Sequence, residues 1–79
     1  MTFRIRGVAE EVAILRSLCG RGWTLETLPP LEVGAEARVV ARRKAFGGRI
    51  IVAPCLDGSR VIKANGYGSR VLSNIGIVK

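Results

Sequence analysis

Arg38, Arg42 and Lys44 recur at even intervals, the spacing that aligns side chains on one face of an extended strand. Arg49 joins them if the chain folds back at Gly47-Gly48. A row of this kind is suited to a polyanion: guanidinium groups grip phosphate oxygens in pairs, and the chain uses ten Arg against three Lys. Phe46 falls in the same series and Tyr67 follows the Asn65-Gly66 dipeptide; either ring can stack a base. The chemistry expected of Arg38, Arg42, Lys44, Phe46, Arg49 and Tyr67 is therefore non-catalytic binding of nucleic acid. RNA or single-stranded DNA is favoured over duplex DNA, because a β face with an aromatic ring is the platform and no recognition helix is evident.

Charge distribution supports that expectation. Through Glu36 the chain carries four bases and five acids, whereas from Ala37 onward nine bases face only Asp57, within a total of +7. Such asymmetry concentrates polyanions near one half before any specific contact forms. The competing class is a small protein–protein interaction module, or a homodimeric regulatory or accessory protein with no nucleic-acid role. Val40, Ile51 and Ile62 are expected to interrupt the basic face, and exposed branched apolar residues beside Arg are typical of interfaces. Sheet edges also invite dimerisation. The two classes differ in salt response, which is steep for polyanion binding and shallow for an apolar interface.

Catalysis is disfavoured. There is no His to serve as base for a Ser or Cys nucleophile, and Glu10 and Glu11 are explained by the electrostatics of a helix start. Cys19 and Cys55 cannot complete a structural zinc site alone; they read as buried thiols rather than a disulfide. Gly20-Arg21-Gly22 is a helix stop and Asn65-Gly66-Tyr67-Gly68 a tight turn, since neither has the context of a phosphate-binding loop. No cofactor is implied. The longest apolar run, Ile50 to Leu56, is far shorter than the ~18 residues of a membrane span, and no export signal opens the chain, so a cytoplasmic location is the default.

Behind these residues stands one domain of 79 residues with 48% hydrophobic content. A domain this small, with few aromatic residues, builds a modest core, and a homodimer is a natural way to bury more surface. Phe3 and Ile5 alternate with Arg4 and Arg6 as a half-buried strand does. Val8, Val12, Leu15 and Cys19 then recur at helical spacing, with Ile14 and Leu18 widening the stripe. Trp23 to Leu28 alternates again, setting Trp23, Leu25 and Thr27 against Thr24, Glu26 and Leu28, until Pro29 and Pro30 stop it.

The basic half holds three turn dipeptides: Gly47-Gly48, Asp57-Gly58 and Asn65-Gly66. A two-residue turn at the first pairs Arg42 with Ala53 and Lys44 with Ile51. Arg43, Ala45, Ala41 and Val39 then share a nearly all-apolar face with Ile50, Val52, Pro54 and Leu56. A two-residue turn at Asp57-Gly58 would place Pro54, which has no N–H, at a hydrogen-bonded ladder position, so a bulge or a longer loop is required. That leaves the faces of Arg60 and Lys63 open. Residues 69–78 read as strand, with a short helix as the alternative.

The expected fold is a small two-layer α+β domain: strand-helix-strand over 1–28, a Pro/Gly loop over 29–35 and a basic antiparallel β-meander over 36–79. One helix packs on one sheet face. A partly closed barrel with one helix and a C-terminal second helix are the alternatives.

Overall fold

The computed structural model describes residues 1–18, 22–43, 47–74 and 76. In order, the elements are β1 (Thr2–Ile5), α1 (Val8–Leu18), β2 (Trp23–Leu28), β3 (Arg38–Arg43), β4 (Gly48–Pro54), β5 (Arg60–Asn65) and α2 (Tyr67–Asn74). The strands form one antiparallel sheet in the order β1-β5-β4-β3-β2. This is a small α+β fold in which β2 to β5 run as a meander and β1 closes the free side of β5.

Strand alternation sorts the side chains into two layers. Ile5, Ala41, Ile50, Val52, Ile62 and Ala64 point to one face and are buried there with Ile14 and Leu18 of α1 and Leu72 of α2. Phe3, Trp23 and Val71 flank this cluster. Both helices thus cover the same face, and the other carries no helix among the described residues.

The segment expected to be a fourth meander strand is α2, so the alternative of a C-terminal second helix holds. Phe3 pairs with Ile62 and Ile5 with Arg60. With β1 on one side of β5 and β4 on the other, no ladder position is left for Tyr67 to Leu72. Packing on the sheet face is the remaining way for Leu72 to reach the core, and it is fully buried there.

Two glycines allow the close approach of α2. A Cβ on Gly48 would lie 2.9 Å from the Gly68 nitrogen and from Tyr67 Cβ, and one on Gly68 would strike the Arg49 carbonyl and Ile50. Gly48 is therefore a strand residue required for packing and not the second residue of a tight turn. Val39 pairs with Val52, Ala41 with Ile50 and Arg43 with Gly48. Each β3 residue meets a partner four positions earlier in β4 than a two-residue turn would provide. Because that displacement is even, both faces keep the composition expected from the pattern; an odd slip would have inverted them.

The second hairpin resolves the conflict at Pro54 with a three-residue loop. Cys55 N donates to Ser59 O at 2.8 Å and Gly58 N to Cys55 O at 3.1 Å, with Gly58 left-handed at φ 87°. This is a type I turn followed by a left-handed bulge residue. Pro54 then sits opposite Arg60, one position beyond the hydrogen-bonded Cys55–Ser59 pair, where no N–H is needed. Val61 and Lys63 are consequently fixed on the helix-free face, and Arg60 and Ile62 on the other.

Helix α1 also differs from the pattern. Ile14 and Leu18 are its buried residues, while Val8 and Val12 are 60% and 41% exposed. The stripe identified by spacing alone is therefore the outer margin of the buried face. The cause is Glu11: it shares the inward side with Ile14 and Leu18 and its Oε2 accepts from Arg60 Nε at 2.6 Å. Cys19 lies outside the described residues, and Cys55 is half-buried with its Sγ 3.7 Å from Ala53 O. No described helix is long and apolar enough to cross a membrane.

Candidate nucleic-acid interface

Register and pleat together build the helix-free face row by row. Thr24, Arg42, Arg49 and Asn65 form one cross-strand row, and Glu26, Val40, Ile51, Lys63 and Thr2 the next. Arg42 and Arg49 are directly opposite, so their Cβ atoms are about 5 Å apart, and Lys63 is diagonal to Arg49. Three cations thus lie within about 10 Å across three adjacent strands. All three are exposed, and none has an ion pair or hydrogen-bond partner among the described residues.

The other described strand bases on this face, Arg38 and Arg4, are already engaged. Arg38 Nε donates to Pro29 O at 2.7 Å, holding the proline loop against the sheet. Arg4 Nη1 donates to Ser59 Oγ at 2.7 Å and lies 3.6 Å from Asp57 Oδ2. Asp57 in turn accepts from Ser59 N at 3.0 Å and Ser59 Oγ at 2.6 Å. Those two hydrogen bonds, with the Arg4 charge beside them, hold the Asp57 carboxyl below its usual value. Glu26 is the only acid on the described strands of this face, and it makes no ion pair with Arg42 among the described residues.

Arg49, Lys63 and Asn65 also border a depression of about 210 Å³, with Met1, Thr2, Ile51 and Ala64 as its other walls. Two cations and an amide around an open cup can bind the oxygens of a phosphate or carboxylate. They offer no nucleophile with a neighbouring base. Among the described residues, no three of Cys, Asp and Glu gather as a metal site would require.

Of the residues expected at the site, Arg42 and Arg49 come together more closely than the turn dipeptide implied. Arg38 shares their face but is tied to the loop. Lys44 and Phe46 lie outside the described residues. Tyr67 is on the opposite side of the sheet, at the start of α2, with the Arg43 guanidinium 4.3 Å from its ring centroid. Its absence from the basic face follows from the helical course of 67–74, which carries the ring to the face covered by the helices. Sequence reasoning left Lys63 unplaced; the three-residue loop at 56–58 was the missing signal.

No protein-family model matches the chain, and neither a curated protein nor a solved structure is significantly similar to it.

Proposed function

We propose that the chain is a non-catalytic nucleic-acid-binding protein that holds backbone phosphates on the helix-free face of its sheet, with RNA or single-stranded DNA as ligand. The observation that carries this reading is the Arg42–Arg49–Lys63 cluster: three exposed cations without partners among the described residues, two of them directly opposite. Like charges placed opposite one another weaken a sheet. A ligand anion seated between them removes that cost, so the arrangement gains most when occupied. A single strand is the better fit because both helices cover the other face, leaving a β surface with no helix able to enter a groove. Among the described residues Phe3, Trp23 and Tyr67 all lie on the helix side, so what the described part of the other face offers is contact with the backbone.

The test is a salt titration of binding to a fluorescently labelled single-stranded oligonucleotide. Three phosphate contacts predict a slope of log affinity against log salt of about −2, and loss of Lys63 in a Lys63→Gln variant reduces it by ~0.7. No binding at low salt, or a slope near zero, contradicts the reading.

A further inference from the structure

Among the described residues the sheet ends in two edge strands of different character. β1 is four residues long and bears Arg4, with Arg6 just beyond it, as guarded edges do. β2 is six residues long, Trp23–Leu28, with no Pro within it and Glu26 as its one charge. Beside β2, a largely apolar groove of about 710 Å³ runs between Leu15 of α1 and Leu25, Glu26, Thr27 and Val39 of the sheet. Leu25, at the rim of this groove, is 51% exposed.

We infer that β2 is a homodimer edge, paired antiparallel with β2 of a second copy about a two-fold axis normal to the sheet. A second copy is the occupant because the surface complements itself. Placing Leu25 on the two-fold sets it opposite Leu25 of the partner subunit and sets Glu26 opposite Thr24 of the partner subunit. No like charges then meet along the new ladder, and both helix layers stay on one side. Leu15 of each α1 flanks the paired leucines. Charge selects this edge too. A chain of +7 repels its own copies, but β2 carries Glu26 and no base whereas β1 bears Arg4, so pairing at β2 sets no base of the edge strand against its copy. The resulting interface is isologous, as a two-fold requires.

The dimer does not depend on the nucleic-acid reading and is tested without nucleic acid. Sedimentation equilibrium of the purified chain from 1 to 200 µM, in ~0.5 M salt to screen self-repulsion, is expected to give a mass twice the 8.5 kDa of one chain. Leu25→Lys, at a half-exposed position that tolerates Lys in the monomer, raises the dimer Kd at least tenfold with an unchanged circular dichroism spectrum. Leu56→Lys, at a still more exposed leucine outside the patch, leaves the Kd unaltered. A monomer throughout the range, or a dimer indifferent to Leu25→Lys, overturns the inference.

Discussion

Arg49→Glu should stabilise the fold and impair nucleic-acid binding at once, because the same cross-strand pair governs both. Arg42 faces Arg49 directly. Two guanidinium charges ~7 Å apart repel by about 0.6 kcal/mol in a water-like dielectric, and reversing one turns that repulsion into attraction of similar size. Glu is the poorer strand former by a few tenths of a kcal/mol, leaving a net gain of about 1 kcal/mol, in line with measured cross-strand pairs. For a domain this small that is a rise of ~4–8 °C in Tm. The gain should vanish near 1 M salt, where the Debye length falls to ~3 Å. Oligonucleotide affinity at low salt should drop about tenfold or more, as expected for losing a charge-assisted hydrogen bond to phosphate. Urea unfolding and fluorescence anisotropy on the same protein read both quantities. A fall in stability refutes the register and its electrostatics; unchanged affinity refutes the site.

Three further outcomes probe the scaffold. Glu11→Ala should cost about 1–3 kcal/mol, because its partner Arg60 is only 18% exposed at the side chain and is left without its carboxylate, whereas exposed Glu10→Ala should cost well under half of that; urea midpoints compare them. Gly48→Ala should destabilise by about 1–3 kcal/mol through collision with Gly68 and Tyr67, read as a drop in Tm and in the near-ultraviolet signal of Trp23. Asp57 has a carboxyl pKa lowered in the fold, so its contribution is complete above the ordinary value of 3.8 and is lost as pH falls through the lowered one. The stability difference between the natural chain and Asp57→Asn should therefore narrow as pH drops below about 4; parallel pH profiles would count against the Ser59 and Arg4 contacts.

Much of this architecture is legible in the residues themselves. The period-2 alternation of Trp23 to Leu28 marks β2 and assigns its faces, because a half-buried strand cannot bury both sides. The basic face survives an error in register for the same reason: Arg38 and Arg42 stay together under any even shift. What the pattern hides is competition between uses of one residue. Gly47-Gly48 has the composition of a turn, yet Gly48 is needed where α2 crosses β4. Tyr67 to Leu72 suits a strand until β1 fills the edge of β5, a long-range pairing that no local window contains. The first-turn acids of α1 explain themselves as helix electrostatics, and so conceal that Glu11 is an inward-facing partner for Arg60. Lys63 could be placed only once the Cys55–Ser59 pair fixed the loop length.

The central claim is that the helix-free face is where nucleic acid binds. Titrating the ¹⁵N-labelled chain with a short single-stranded oligonucleotide and following amide and Arg Nε–H shifts tests it most directly. Shifts concentrated at Arg42, Arg49, Ile51, Lys63 and Asn65, with Ile14, Tyr67 and Leu72 unmoved, are the predicted result. Shifts centred on α2 and the Arg43–Tyr67 contact, or none at low salt, would contradict it.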